Sequence, residues 1–308
     1  MRIATVGVHV LDTHLFGVES VPAGSEGQLI DSSWISAAGT AGGTALVLAR
    51  LGAEVTTYGA IGADPAGDLL LGLLEREGVA TRLVRKDDHQ TSTSVIPVRP
   101  NGDRPAWHCI GANGAFGLAD LPEEAFDGVA HVHLGGPEFL GGDAAAEVLR
   151  RARAAGATTS VDVLAPGDPG LLAWIEAALP VTDFLLPNDE QVLGFTGAAT
   201  VEEGAAALLS RGAGCVAVTA GSRGAYVVSA GAPEAGTWVP AHEIEVVDTT
   251  GCGDAFSAGF VVGLLGRLGA GVVDAARLGC ATAAHVAQGR GTDGGTYDLD
   301  TVRGLAGL

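Results

Sequence analysis

The chain alternates short apolar runs, rich in β-branched residues, with longer segments rich in alanine and leucine. The short runs are typical of buried strands and the longer segments of helices that cover them. This repeated alternation favours an α/β fold, in which helices lie on both faces of a mostly parallel sheet. The predicted strands lie near residues 3–11, 54–61, 131–134, 159–164, 184–186 and 215–219. The predicted helices lie near residues 43–51, 65–77, 144–154, 171–178, 201–211, 252–268 and 272–288.

Two stretches, residues 12–36 and 89–112, interrupt the alternation because they are strand-like, rich in turns and free of helical pattern. Within the second stretch, Asn101-Gly102 is a strong hairpin signal. Both stretches follow a strand of the main sheet, at the end where open α/β sheets have their ligand crevice. We therefore expect a single domain over residues 1–308, with a small β lid formed discontinuously by the two stretches.

Charge narrows the range of partners. The formal net charge of −19 would repel both a phosphate backbone and an anionic membrane surface, so neither nucleic acid nor membrane is expected as a partner. The chain has one lysine, Lys86, which sits in a charged stretch. A mechanism that grips phosphate with a lysine is therefore disfavoured, and backbone amides are the alternative.

The cysteines and the first apolar run bear on the cellular compartment. The four cysteines, Cys109, Cys215, Cys252 and Cys280, are far apart and form no C-x-x-C pair. Three of them lie in apolar or Gly/Ala-rich surroundings, so buried reduced thiols are expected. The first apolar run lacks a small-residue cleavage site, and it is interpreted as a strand and not as a signal peptide. The sequence thus predicts a cytoplasmic protein.

Residues 247–256 carry the clearest chemical signal, since Gly251-Cys252-Gly253-Asp254 leads directly into an apolar segment. Small residues let the backbone approach a ligand closely, and the unpaired amides at a helix start favour an anion. Asp254 falls in the first turn, where a carboxylate can accept a proton from an attacking alcohol. Helix-dipole preference and the abundance of glycine could also explain parts of this pattern.

The complete string Asp-Thr-Thr-Gly-Cys-Gly-Asp-Ala-Phe closely resembles the second signature of the pfkB family of carbohydrate kinases, of the ribokinase-like superfamily, with Cys252 in place of an alanine. Other segments are similar to landmarks of that family in the same order along the chain. They are Gly7 with Asp12, residues 39–53, residues 59–67, residues 101–104 with 111–113, Pro187-Asn188 and residues 219–224. The resemblance spans about residues 1–295 and implies a three-layer αβα sandwich with a small lid.

The resemblance also implies roles for individual residues in the phosphorylation of a sugar-like alcohol by ATP with Mg²⁺. Asp254 is the implied general base, and Gly251, Cys252 and Gly253 form the implied anion hole. The implied substrate contacts are Asp12, Gly39, Thr40, Gly43, Asn113 and Asp254. The implied nucleotide contacts are Asn188, Thr219, Gly221, Arg223, Gly224, Thr249, Gly251, Gly253 and Cys280. A monovalent cation such as K⁺ is implied at Asp248, Thr250, Ala287 and Gly291.

Two positions depart from the family pattern. Gly43 stands where the family usually has an asparagine that contacts the sugar, which indicates changed substrate contacts. Gln191 stands where the glutamate of an Asn-x-x-Glu motif is usual, and an amide is a poorer partner for hydrated Mg²⁺ than a carboxylate. We expect a weakened divalent region at Glu190 and Gln191, with Asp189 or Glu190 as substitutes if the turn shifts by one residue.

Several weaker signals leave alternatives open. His131 and His133 lie on one face of a predicted strand, but no third ligand is near in sequence, so packing is favoured over metal binding. Asp162 is a candidate for a substrate or structural contact. Trp34 and Trp107 belong to the lid segments, where they could stack on a ligand or pack between the two protomers of a homodimer.

Three functions are compatible with these features. The first is a kinase for a sugar or sugar-like alcohol, and the second is a nucleoside kinase with a base pocket formed by Trp34, Trp107 and Phe116. The third is a silent sugar-binding regulator, against which the intact Asp254 and anion hole argue. A dinucleotide-binding dehydrogenase is disfavoured because no G-x-G-x-x-G follows the first predicted strand.

Overall fold

The computed structural model describes residues 1–99, 104–266, 271–292 and 294–308. The strands are β1 (Arg2–Gly7), β2 (Val10–Phe16), β3 (Ser32–Ala38), β4 (Glu54–Gly62), β5 (Ala80–Lys86), β6 (Thr93–Val98), β7 (Trp107–Cys109), β8 (His131–Gly135), β9 (Thr158–Asp162), β10 (Phe184–Leu185), β11 (Cys215–Thr219), β12 (Ala225–Ser229) and β13 (Ala232–Val239). The α-helices are α1 (Gly42–Arg50), α2 (Pro65–Arg76), α3 (Gly142–Ala154), α4 (Pro169–Leu172), α5 (Asp189–Thr196), α6 (Val201–Ser210), α7 (Cys252–Leu265), α8 (Val272–Ala287) and α9 (Leu299–Ala306).

The described strands form a nine-stranded sheet in the order β13-β12-β11-β10-β9-β8-β1-β4-β5. The neighbours from β11 to β5 run parallel, whereas β12 and β13 are antiparallel at one edge. The sheet is therefore mostly parallel, which confirms the α/β prediction. The carboxyl ends of β1, β8 and β9 come together at one edge, where such sheets have their crevice.

Side chains on the two faces of this large sheet enter different cores, as the period of two along a strand requires. Ala4 and Val6 of β1 pack in a core with residues of α3, α5 and α6. Ile3, which directly precedes Ala4, packs in a second core with residues of α1, α2, α7 and α8. Phe256 and Phe260 of α7 extend that helical layer over β11 and β12. The sheet is thus covered by helices on both faces, and α7 is buried as its composition predicts.

A second sheet, which we call the small sheet, has the strand order β3-β2-β6-β7. Strand β2 pairs antiparallel with β3 and parallel with β6, and β6 pairs antiparallel with β7. These strands come from the two stretches that interrupt the helical alternation. The predicted Asn101-Gly102 turn lies outside the described residues.

The prediction of one strand over residues 3–11 is wrong, because the chain leaves the large sheet at Gly7 and enters the small sheet at Val10. Gly7 has a φ of +126°, and a side chain there would overlap the backbone of Gly135 on the neighbouring strand β8. The bend therefore requires glycine at this position. Asp12 consequently lies within β2 and not beyond the end of the first strand.

The prediction of a helix over residues 171–178 is also wrong. Helix α4 ends at Leu172, and a short 3₁₀-helix follows at Glu176–Val181. Pro180 explains this, because in an α-helix its ring would clash with the carbonyl four residues earlier. Helix α7 ends at Leu265, short of the predicted residue 268.

Within the described ranges, no single helix is long and apolar enough to cross a membrane. The bent pair of α5 and α6 passes the same length and composition test only when the two helices are taken together.

Candidate active site

The turn at residues 251–253 leads into α7 and exposes backbone amides. Gly251 has a φ of +77°, and a side chain there would contact Thr292, so the position requires glycine. No side chain caps the start of α7, and its first amides have no partner within the helix. A β-carbon built on the exposed Gly253 meets nothing within 4 Å, so the backbone there faces open space. Such uncapped amides at the positive end of a helix favour an anion.

Asp254 lies in the first turn of α7, immediately after these amides. Burial raises the pKa of its carboxyl well above the ordinary value of 3.8, and the nearby charges of Asp162 and Asp12 raise it further. A carboxylate with a raised pKa holds a proton more strongly, which suits a proton acceptor.

Gly43 explains one departure from the family pattern. A β-carbon at residue 43 would overlap the Asp254 carboxylate and lie 3.0 Å from a methyl carbon of Thr292. An asparagine therefore does not fit at position 43 while Asp254 keeps this position. The structure thus brings Gly43, Asp254 and Thr292 into one cluster, although they come from distant parts of the chain.

Two further carboxyl groups face the crevice near Asp254. Asp12 is buried on β2, and its pKa is raised mainly by burial, with a contribution from Asp248, against the hydrogen bond from Ser94. Asp162 is buried at the end of β9, where burial and the charge of Glu138 raise its pKa to about 8. Burial thus raises the pKa of all three carboxyl groups in this cluster, and carboxyl oxygens are suited to hydrogen bonds with hydroxyl groups.

Buried side-chain oxygens near this cluster lack a hydrogen-bond partner within the described part of the chain. They are Thr40 Oγ1, Thr44 Oγ1, Glu138 Oε2, Ser257 Oγ and Thr292 Oγ1. Because buried polar groups are normally hydrogen-bonded, these oxygens fit a ligand rich in hydroxyl groups. Of the five, only Thr40 carries a sequence prediction; Thr44 lies within the family-like segment 39–53, and the other three belong to no motif.

Gly39, Thr40 and Asn113 connect the small sheet to the large one. Gly39 has a φ of +89°, and a side chain there would contact the backbone of Val8 and His9. The Thr40 carbonyl accepts a hydrogen bond from His133 Nε2 at 3.1 Å. The Asn113 side chain accepts from the His9 amide at 3.1 Å and donates to the His9 carbonyl at 2.9 Å. Asn113 therefore holds the link between β1 and β2.

The predicted nucleotide residues lie around the end of β11. Thr219 ends β11 and is bridged to Asn188, and its amide donates to the Pro187 carbonyl at 3.0 Å. Gly221 begins a 3₁₀ turn with open space around its α-carbon, whereas a side chain on Gly224 would overlap the Val239 carbonyl.

Arg223 and Cys280, two further predicted nucleotide contacts, lie in different surroundings. The Arg223 guanidinium lies 4.0 Å above the Trp238 ring, and it is exposed. Cys280 is buried in the apolar core with Phe256 and Phe260, and burial raises the pKa of its thiol to about 12. All four cysteines are free thiols. Thr249 precedes the glycine turn, and its carbonyl accepts from the Cys252 amide at 3.3 Å.

The predicted cation position at Asp248 is already occupied by protein donors. The Asp248 carboxylate accepts from the Thr250 amide and hydroxyl at 2.9 and 2.8 Å and from the Gly291 amide at 3.0 Å. His14 Nδ1 lies 3.3 Å from the same group. Burial alone would raise the pKa of Asp248, but these hydrogen bonds hold it below its ordinary value. The Ala287 carbonyl accepts two amides, so the oxygens do not fit an additional cation.

The Gln191 side chain caps the start of α5 and is not placed to bind a divalent metal. Its Oε1 accepts from the Asn188 amide at 2.9 Å, and its amide donates to the Asn188 side chain at 2.8 Å. Its Nε2 donates to the carbonyls of Val163 and Ala165 at 2.8 and 3.0 Å. The buried Gln191 side chain therefore does not fit a Mg²⁺ ligand, and Glu190 beside it is exposed. No group of three or more metal-ligating side chains occurs in the described ranges.

His131 and His133 are packed and hydrogen-bonded, as expected. Both rings lie 2.8 Å from the Ser160 hydroxyl, and His131 also lies 2.8 Å from the Thr158 hydroxyl. Burial lowers their pKa values to about 3 and about 4. Both are therefore neutral at pH 7.

Comparison with known proteins gives a consistent result. Residues 10–298 match the model of the family described as "pfkB family carbohydrate kinase". An ATP-dependent ribose-1-phosphate kinase of Halopiger xanaduensis is 32% identical over 85% of this chain and 84% of its own length. A nucleoside kinase of Methanothermobacter thermautotrophicus is 28% identical over 82% and 79%. The structure of Arabidopsis thaliana ribokinase complexed with ribose and ATP is similar with a TM-score of 0.82 and 23% identity, over 100% of this chain and 99% of that one.

Proposed function

The chain belongs to the pfkB family of carbohydrate kinases, phosphotransferases that act on an alcohol group, and we propose that it phosphorylates a hydroxyl of a sugar or sugar-like alcohol with ATP. The observation that carries this proposal is the position of Asp254 directly after Gly253, at the start of a helix that no side chain caps and where the backbone faces open space. A proton acceptor and an anion site thus stand side by side, as phosphoryl transfer to an alcohol requires.

Asp254 is proposed to act as the general base. The proton of the acceptor hydroxyl passes to its carboxylate while the acceptor oxygen bonds to the terminal phosphorus. The bond from that phosphorus to the bridging oxygen breaks, and ADP leaves. Burial and the charges of Asp162 and Asp12 raise the pKa of Asp254, which strengthens it as a proton acceptor. Such assistance is typically worth about 10² to 10⁴ in rate.

The amides of residues 251–253 are proposed to bind the charge that develops on the transferred group. Donors fixed in the backbone need no rearrangement during the reaction, which makes this contribution large. The proposed nucleotide side includes Asn188, Thr219, Gly221, Gly224 and Thr249, which lie near the end of β11 or just before the turn. Magnesium arriving with ATP would neutralise phosphate charge, and Gln191 is not proposed as its ligand.

The acceptor is proposed to be polyhydroxylated and to lie between Asp254 and the small sheet, which acts as the lid. Asp12 pairs with Ser36 and Ser94 on the neighbouring strands, so this row is polar across the sheet. Thr40 and Thr292 add hydroxyl groups that lack partners among the described residues.

The nucleoside alternative has less support from the aromatic residues. Phe116 is buried in the main core. Trp107 pairs with Val95, which lies on the opposite face of the small sheet from Asp12, because alternate residues point to opposite faces. Of the three predicted aromatic residues, only Trp34 lies on the face of Asp12, next to His14. A sugar acceptor is therefore favoured.

The experiment is a survey of acceptors with ATP and Mg²⁺, with ADP release and product mass both measured. Ribose, ribose 1-phosphate, fructose, 2-dehydro-3-deoxygluconate and nucleosides cover the acceptor classes of the relatives. A product heavier than its acceptor by one phosphoryl group supports the proposal. ATP binding without a phosphorylated product from any acceptor class would favour the silent sugar-binding regulator instead.

A homodimer through the small sheet is proposed on the basis of its outer face. Thr13 pairs with Ile35 on one side and with Val95 on the other. Val95 pairs in turn with Trp107, so one row crosses all four strands. Ile35, Val95 and Trp107 are 44%, 36% and 55% exposed. Light scattering of the chain, compared with Val95→Glu, tests this, and a monomer in both would contradict it.

A further inference from the structure

Arg104 joins the small sheet to the turn at residues 251–253, which we call the anion turn. It lies between β6 and β7, and its Nη1 donates to the Thr250 hydroxyl at 2.8 Å. That hydroxyl in turn donates to the Asp248 carboxylate at 2.8 Å. Because the hydroxyl donates to one partner and accepts from the other, its orientation is set. Two consecutive hydrogen bonds thus connect Arg104 to the buried carboxylate of Asp248 through Thr250, the residue directly before Gly251.

The charge of Arg104 also reaches the carboxylate itself. Its Nη1 lies 3.9 Å from Asp248 Oδ1, whose side chain is fully buried. The same charge is felt at Cys252 inside the anion turn, where it acts against the burial that raises the pKa of this thiol to about 12. The Arg104 side chain itself is 37% exposed, so it approaches this buried group from the solvent side.

Most of the oxygen lone pairs around Asp248 already accept hydrogen bonds from the protein. The carboxylate accepts three hydrogen bonds and lies next to His14, and the Ala287 carbonyl accepts the amides of Val247 and Asp248 at 2.8 and 3.2 Å. The Gly291 carbonyl accepts from the Gly294 amide at 3.1 Å. A monovalent cation would have to compete with these donors and, above all, would meet the guanidinium of Arg104, which has the same sign of charge.

We propose that Arg104 is a built-in cation: a positioning residue whose guanidinium supplies, at Thr250 and Asp248, the positive charge that would otherwise come from K⁺. The anion turn is then held in place by the protein alone, and phosphoryl transfer does not depend on a monovalent cation. The kinetic part of this inference rests on the proposed kinase activity. The binding part does not, because it concerns the site at Asp248.

The test compares wild type, Arg104→Ala, Arg104→Lys and Arg290→Ala in N-methyl-D-glucamine chloride and in KCl at equal ionic strength. Arg290 is a matched control because it also contacts the small sheet, with its guanidinium 4.8 Å above the Phe16 ring and its Nη1 donating to Ser32 at 3.3 Å. Turnover and melting temperature are both measured. The wild type should have the same kcat and the same melting temperature in the two salts.

Arg104→Ala should lose about tenfold or more in kcat without K⁺, the usual effect of losing a hydrogen bond to a charged group. KCl should restore part of this loss and raise the melting temperature of Arg104→Ala, because the vacated position can then take a metal ion. Arg104→Lys should recover much of the activity without K⁺, since it retains the charge. Arg290→Ala should show no preference for K⁺ in either measurement.

Activation of the wild type by K⁺ would overturn the proposal, as would an Arg104→Ala variant that behaves like Arg290→Ala in both salts. If no acceptor is turned over, the melting temperatures alone decide. A K⁺-specific stabilisation confined to Arg104→Ala would support the built-in cation while the proposed function fails. No K⁺ effect on the melting temperature of any variant would then overturn it.

Discussion

The Asp254 carboxylate lies against the α-carbon of Gly43, in the space that a β-carbon at residue 43 would need. Residue 43 therefore sets the position of the proposed base through its lack of a side chain. Gly43→Ala should displace the carboxylate and lower kcat by about 10², since small misplacements of reacting groups have effects of this size. Steady-state kinetics check this, with Gly72→Ala as a control, because a β-carbon at Gly72 meets nothing within 4 Å. A kcat equal to that of the control would contradict the relationship.

Asp254→Asn should fold and bind nucleotide but lose about 10² or more in kcat, because the amide retains the shape and cannot accept the proton. The substitution removes a negative charge that Asp162 and Asp12 repel, so it should not lower the melting temperature. Turnover assays with nucleotide titration check both statements. Turnover within about threefold of the wild type would remove Asp254 as the base.

The pH dependence of kcat/KM should have an acidic limb well above the ordinary carboxylate pKa of 3.8, because the pKa of Asp254 is raised in the free protein. Activity requires the ionised form, so kcat/KM falls as the pH drops through this raised pKa. Asp162→Asn removes one repelling charge and should move the limb to lower pH. A pH–rate profile of each protein is the measurement. If the limb does not move in Asp162→Asn, the charge of Asp162 does not raise the pKa of the group that limits activity.

Asp12→Asn should raise the KM of the acceptor about tenfold or more and leave kcat nearly unchanged, because it weakens a contact to a charged group made before and during the reaction. Since the folded-state pKa of Asp12 is raised, its ionised form opposes folding at pH values above 3.8. Its neutralisation should therefore not lower the melting temperature at pH 7. A lower melting temperature with an unchanged KM would show that Asp12 is a structural residue of β2.

Gln191→Glu should destabilise the protein without improving the response to Mg²⁺. The carboxylate cannot donate to the carbonyls of Val163 and Ala165, so two buried acceptors lose their donor. The melting temperature should fall by about 4 °C or more. The exposed Glu190→Gln is the matched control and should melt like the wild type. Tighter half-saturation by Mg²⁺ in Gln191→Glu would instead support a metal-binding position.

The large sheet could be predicted from the sequence because strand and helix periodicity is a local property. The position of α7 and of Asp254 followed from a contiguous string of residues. The bend at Gly7 could not be predicted from the sequence, because it depends on the close approach of Gly135 from another strand. The capping role of Gln191 had a signal, since Asn-x-x-Gln before a helix is a capping-box pattern.

The residues that sequence reasoning missed share one property, which is that each acts through a partner far away in the chain. Arg104 contacts Thr250, and His14 lies next to Asp248. His14 stands in no recognisable motif, and Arg104 lies in the segment 101–104 that resembles a lid strand of the family, but nothing in the sequence links either residue to its partner. Local spacing contains no information on such pairs, so only the folded chain identifies them.

The cluster of Gly43 with Asp254 and Thr292 has a consequence for protein synthesis. The ribosome makes the segment with Asp12 and Gly43 well before the segment with Asp254 and Thr292. A nascent chain that stops before residue 251 lacks the anion turn and the proposed base, whatever the state of its first strands. The proposed site is therefore assembled late in synthesis, and chains terminated before residue 251 should not consume ATP.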